Sequence, residues 1–430
     1  VNDTLISARW IQILIFLSTI VSLAVMLNRI TGNRTGWVLT GVFVIFTAPR
    51  LFSVYVMAWS EGIYLLLTLV GFYHLAYFIS NQKISTLIWS AVFLALAFST
   101  RYVGITSICT AILGLMIFSK VPWTERLKNV GLFTFLSLTP TLLWMLWGQL
   151  TRESGSPRVF AYHPISIEKL SSGLGEILSR FFLSSTMSWV LLCVFVISYV
   201  FLMMNCRTRD SSDLTVADIL RKILFLSVIL YLVFLLISIT FFDAHTPLDT
   251  RINTPAYFFL MIALILGLSS IETYTPLCKL FHVSAFIVVL ILCVVQIANL
   301  QMLAAYFSTN GVGFHSRQWV ESGTLDYVRN TQADIPVIYT NAPEIIEIHL
   351  KREAKLLPQR ENATSKITNK NFQDLLFQLR QDSRANGAII VFFYDFSYRK
   401  YLLSLPELSK NTDLELLFKG SDGIVLQAHD

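Results

Sequence analysis

Ten stretches of this chain, each 15 to 25 residues long, contain no Lys, Arg, Asp or Glu: 10–28, 35–49, 62–82, 84–100, 102–119, 129–150, 182–205, 223–242, 252–271 and 280–304. Most reach the roughly 17 to 25 residues a helix needs to cross a bilayer's hydrocarbon core. Backbone in hydrocarbon must satisfy its own N–H and C=O groups, so such runs are expected to fold as helices. With 54% hydrophobic and 14% charged residues, the chain is not composed like a soluble globular protein. The fold class predicted is a polytopic α-helical membrane protein with about ten transmembrane helices and a C-terminal extracytoplasmic α/β domain. The run 35–49 is short and contains Pro49, so its helix is expected to end there, leaving 51–60 as a separate interfacial piece. The five cysteines, Cys109, Cys193, Cys206, Cys278 and Cys293, show neither metal-ligand spacing nor a disulfide pattern and are read as packing residues.

The character changes at residue 305, after which 126 residues carry 14 Lys/Arg and 15 Asp/Glu. The chain therefore divides into a membrane domain, 1–304, and a soluble domain, 305–430. In the second part IPVIYT, AKLLP and GAIIVFFY read as strands, while NAPEIIEIHLKRE and NFQDLLFQLRQDS read as helices. LELLFKG and GIVLQ form a hairpin across Ser421-Asp422-Gly423. The alternation implies a small sheet covered by helices. No glycine-rich phosphate loop or nucleophile elbow is present. Asn362-Ala363-Thr364 fits a glycosylation acceptor pattern only by accident.

Sidedness follows from alternation. If all ten runs cross, the gaps on one side hold 11 Lys/Arg in 41 residues and those on the other hold 7 in 53. The positive-inside rule puts the first set in the cytoplasm and the second set, with both chain ends, outside.

Every charge pressed against a span without a polar loop to explain it falls in the outer set: Arg50, Glu61, Arg101, Asp243, Asp249 and Arg251. Taken singly, such a charge is better explained by snorkelling or helix capping. As a set, carboxylates and arginines at one membrane face suit transfer from a lipid-phosphate donor. Guanidinium groups hold the phosphate and its developing charge, and a carboxylate takes the proton of an attacking hydroxyl. His74, deep in a span, is read as a hydrogen-bonded core residue. His163 and His245 lie outside as loop or acceptor-side candidates, and neither has a histidine at i+4, so no metal site is expected.

The segments MAWSEGIYLLL, LALAFSTRYVGIT, AYHPISIEKLSSGL and DTRINTPAYFFLM resemble the bacterial GT-C membrane glycosyltransferases, relatives of protein O-mannosyltransferases and of the aminoarabinose transferases that modify lipid A. The resemblance extends over residues 8–430. It implies a multi-pass protein of the inner (cell) membrane with its active face outside. It maps the family's Ser-Glu, Thr-Arg-Tyr and Arg-before-Pro motifs onto Ser60, Glu61, Thr100, Arg101, Tyr102, Arg251 and Pro255. It also implies that a preceding helix and an acidic first loop are missing before Ala8-Arg9, so the chain is expected to be N-terminally truncated and to lack that loop's base.

The function expected is transfer of a sugar, with inversion, from a polyprenyl-phosphate-linked donor to an extracytoplasmic protein, lipid or glycan. Membrane lipids are the other partners; no nucleic acid and no defined cofactor is implied. Catalytic candidates are Glu61, Asp249 and Asp243, and donor-phosphate candidates are Arg101, Arg251, Arg50 and Tyr102. Two other classes stay open. A lipid-sugar transporter would carry midplane charges and internal repeats, which the sequence lacks, and the third class is a non-catalytic scaffold with an outer sensor domain.

Overall fold

The computed structural model describes residues 2–151, 160–178, 215–243, 246, 248–269, 276–331, 337–385, 387–411 and 414–428. The described parts of the uncharged runs become helices, α1 (Asn2–Ile30), α2 (Thr35–Phe46), α4 (Glu61–Asn81), α5 (Ile84–Thr100), α6 (Ile105–Phe118), α7 (Trp123–Thr151), α9 (Val216–Phe241), α10 (Thr250–Ser269) and α11 (Pro276–Asn310), while α3 (Pro49–Val56) and the charged α8 (Ile167–Leu178) form in gaps between runs.

Among the described residues six helices are long and apolar enough to cross a membrane, or seven if the bent pair α2–α3 counts as one span. Ten were expected, and the difference has identifiable sources. The α2–α3 run is broken by a 66° bend, while Ile84–Thr100 and Tyr102–Phe118 are shorter apolar helices. The expected span 182–205 lies outside the described residues. The bend falls at Pro49, whose ring occupies the first turn of α3, where its missing N–H costs nothing. The end of α11 also differs from the sequence boundary: the helix continues past 304 to Asn310 and stops at Gly311, which has φ +70°.

Helix α4 is the hub of the bundle and packs on α1, α3, α5, α6, α9 and α10. Lipid tails are as apolar as leucine, so burial alone does not hold such helices together; close packing and interhelical hydrogen bonds contribute. Tyr64 and Ser107 join α4 to α6 at 3.0 Å, and Ser99 and Thr141 join α5 to α7 at 2.9 Å. Tyr231 Oη donates to the Ile252 carbonyl at 2.5 Å, tying α9 to the first turn of α10. Such bonds average about 0.6 kcal/mol each in membranes.

Two sequence readings inside the bundle change. His74 lies stacked on Phe93 at 5.9 Å, and its buried Nδ1 has no hydrogen-bond partner, so ring packing rather than a bond at that nitrogen accommodates it. Cys109 is exposed on its helix rather than packed inside the bundle.

Beyond α11 the chain forms a five-stranded sheet of order β2-β1-β3-β5-β4, with β1 (Ile338–Thr340), β2 (Lys355–Leu356), β3 (Ile389–Phe393), β4 (Leu414–Lys419) and β5 (Gly423–Ala428). Strand β1 is parallel to β2 and β3, whereas β5 runs antiparallel to β3 and β4. The continuous apolar run of β3 reflects burial on both faces. Ile389, Val391 and Phe393 join one core with α12 (Gly323–Thr331) and α13 (Pro343–Leu350). Ile390 and Phe392 join the other with α14 (Phe372–Ala385) and α15 (Leu405–Asn411). Asn362 builds a local turn here: its Oδ1 accepts from the Thr364 and Ser365 backbone N–H groups and the Thr364 hydroxyl.

Candidate functional site

The short segment from Met57 to Glu61 turns α3 into α4. Its geometry is a helix C-cap closed by two bonds, from the Trp59 N–H to the Val54 carbonyl (3.2 Å) and from the Ala58 N–H to the Tyr55 carbonyl (3.1 Å). Ala58 takes φ +54°, the position glycine usually fills. The following residues restart a helix at once, so Glu61 opens α4. Gly62 makes the tight corner feasible, because a Cβ there would lie 2.8 Å from the Tyr55 ring.

Arg101 arrives from the other end of a neighbouring helix. It caps α5 in an extended conformation, where a cation offsets the negative end of the helix dipole. The chain then reverses through a single turn, Tyr102–Gly104, with the Gly104 N–H bonded to the Arg101 carbonyl at 2.8 Å. A Cβ on Gly104 would lie 2.5 Å from the Phe98 Cα, so this turn requires glycine.

Arg251 comes from the first turn of α10. Asp249 caps that helix: its Oδ1 accepts from the Ile252 N–H at 3.1 Å, and its carbonyl accepts from the Asn253 N–H at 3.1 Å. Pro255 sits one turn further on and cannot bond back to the Arg251 carbonyl.

These three elements converge on one atom. Oε1 of Glu61 accepts from both Arg101 Nη1 and Arg251 Nε, and the Glu61 side chain is fully buried. Its second oxygen, Oε2, is buried without a partner. Ser60 Oγ accepts a further, longer bond from Arg101 at 3.4 Å, and the Arg251 guanidinium lies over the Trp59 ring at 5.0 Å. Two cations against one carboxylate leave a net charge of +1. The cations also keep water contact, Arg101 at 15% and Arg251 at 41% side-chain exposure. A carboxylate buried below two partly exposed guanidiniums leaves the arginines, and not itself, at the water-facing side, an arrangement chemically suited to an anion.

The other expected residues stand on separate segments. Tyr102 is exposed directly after Arg101. Arg50 opens α3 beside Pro49, its carbonyl accepting from the Ser53 hydroxyl at 2.8 Å. Asp243 follows α9, with its N–H bonded to the Ser238 carbonyl at 2.8 Å. His163 is held by its N–H on the Thr240 carbonyl at 2.7 Å, and its Nε2 is buried without a partner. His245 lies outside the described residues. Burial pushes the Lys169 ammonium of α8 below its usual range, assisted by the charge of Lys366 and opposed by Asp243. No group of three His, Cys, Asp or Glu side chains that could hold a metal occurs among the described residues.

Trp59 is the site residue that charge counting missed. Its signal was its position, immediately before the Ser-Glu pair in MAWSEG. The chain matches no protein-family model, no curated protein and no solved structure.

Proposed function

We propose that this protein is a membrane glycosyltransferase that takes a sugar from a polyprenyl-phosphate-linked donor and passes it to an acceptor outside the cytoplasm. The observation carrying this reading is the single buried carboxylate of Glu61 holding Arg101 and Arg251 side by side at one end of the helix bundle. The donor's phosphodiester bears one negative charge, matching the cluster's net +1. As the anomeric carbon–oxygen bond breaks, its electron pair leaves with the phosphate, and the two guanidiniums stabilise the charge that develops.

The acceptor hydroxyl attacks the anomeric carbon from the opposite face, which inverts the linkage. Its proton must pass to a carboxylate. Glu61 is committed to the arginines and Asp249 to the α10 cap, which leaves Asp243 among the three acids proposed for this face. The gaps richer in Lys and Arg, on the opposite side, support an inner-membrane orientation with this face, and the domain formed by residues 305–430, outside the cytoplasm.

Binding of undecaprenyl phosphate to the full chain in lipid nanodiscs tests the phosphate site. Arg101→Ala and Arg251→Ala should each weaken it at least tenfold while the protein stays folded. Wild-type affinity in both variants would refute the assignment. Asp243→Asn should lower turnover and leave donor affinity intact; unchanged turnover would remove Asp243 as the base.

A further inference from the structure

Resting on that reading of the arginine pair, we propose that Trp59 is a positioning residue that holds Arg251 in the orientation in which it meets the anion. Arg251 stands on the first turn of its helix with 41% of its side chain exposed. A long cationic side chain at that level has two competing places to go: back onto Glu61, or out along the surface towards the headgroups. Its described ion pair to Glu61 runs through Nε, and a guanidinium held by one N–H can still swing about that bond. The Trp59 ring lies under the guanidinium at 5.0 Å and removes that freedom. Held at both places, the guanidinium keeps one orientation, and its Nη groups, which the Nε bond to Glu61 does not use, are left for a phosphate oxygen.

The ring is itself well fixed. Its backbone N–H closes the end of α3 on the Val54 carbonyl, and Ala58 adopts a left-handed conformation to bring it there. Three consecutive residues then divide the work: Trp59 meets Arg251, Ser60 meets Arg101, and Glu61 meets both. A residue serving only as packing would be replaceable by any apolar side chain of similar bulk, whereas a cation platform requires an aromatic face.

The experiment uses the full chain in nanodiscs with undecaprenyl phosphate as the probe. Trp59→Leu and Trp59→Ala should each raise its Kd about fivefold to tenfold. Trp59→Phe and Trp59→Tyr, which keep an aromatic face, should stay within about twofold of wild type. In an Arg251→Ala background the Leu substitution should add nothing, because the group it positions is gone. Wild-type affinity in Trp59→Leu, or the same loss from Trp59→Leu with and without Arg251, overturns the proposal. Should Trp59→Ala fail to fold, the Leu and Phe variants decide the matter alone. If Arg101→Ala and Arg251→Ala lose affinity while Trp59→Leu does not, only the role of Trp59 fails. If the arginine variants themselves bind normally, the phosphate site fails first.

Discussion

Arg251 donates its Nε hydrogen to Oε1 of Glu61, a residue 190 positions earlier in the chain, and does so where the helix carrying Glu61 begins. The same oxygen accepts from Arg101, so one carboxylate fixes the relative position of α4, α5 and α10.

Glu61→Gln tests whether that carboxylate positions or reacts. Removing one member of a buried ion pair costs about 3–5 kcal/mol, and the low end applies here because Arg251 keeps substantial water contact. The variant should melt at a lower temperature, bind undecaprenyl phosphate more weakly and transfer sugar more slowly, all together. A Glu61→Gln protein that binds the probe normally yet transfers nothing would make Glu61 the base instead.

Ala58→Gly should stabilise the protein. Alanine at φ +54° pays a steric cost that glycine does not, worth about 1 kcal/mol at a helix end closed in this way. Thermal unfolding in detergent micelles should show a small upward shift, and a decrease would mean that the corner tolerates alanine for a reason other than backbone conformation.

The orientation is open to chemical labelling. In a cysteine-free background, a cysteine at Asn362 should react with an impermeant thiol reagent added to intact spheroplasts. Cysteines at Gln82 and Lys120 should not react until the membrane is opened. The reverse pattern would place the arginine cluster on the cytoplasmic side.

Glu407 supplies a pH test in the sheet-bearing region. It closes a capping box at the start of α15, its Oε2 accepting from the Ser404 N–H at 2.9 Å and the Ser404 hydroxyl at 2.5 Å, while Arg360 donates to Oε1. Burial pushes its carboxyl up, but the Ser404 bonds and the Arg360 charge outweigh burial and hold it below the ordinary value. A depressed carboxyl stabilises above the unfolded value of about 4.3 and loses that contribution as pH falls through the folded one. Glu407→Gln should therefore reduce amide protection of Leu405–Asn411 at pH 7, and the gap to wild type should narrow below about pH 4. A gap independent of pH would deny the charge any role.

Much of this arrangement is written in the spacing of charges. Arg101 stands out because it alone separates two long apolar runs, and Glu61 and Arg251 because each immediately precedes one. Strands β1 and β3 followed from β-branched and aromatic runs, and the hairpin from Ser421-Asp422-Gly423. Other features have no sequence signal of this kind. That both arginines share one oxygen depends on how α4, α5 and α10 pack, and packing leaves no periodic mark. Asp249 looked equivalent to Glu61 in sequence, yet its position just before α10 makes it a cap. Arg50 was grouped with the phosphate ligands as a charge on the same predicted face, and Tyr102 as part of the Thr-Arg-Tyr motif. Residues one or two positions apart at helix ends can point in quite different directions.

The helix preceding Arg101 has 17 residues. At 1.5 Å per residue it rises only about 26 Å, against a hydrocarbon slab of about 30 Å. If this helix crosses upright, either the bilayer thins locally to match it or its flanking Lys83 and Arg101 reach outwards to the interface.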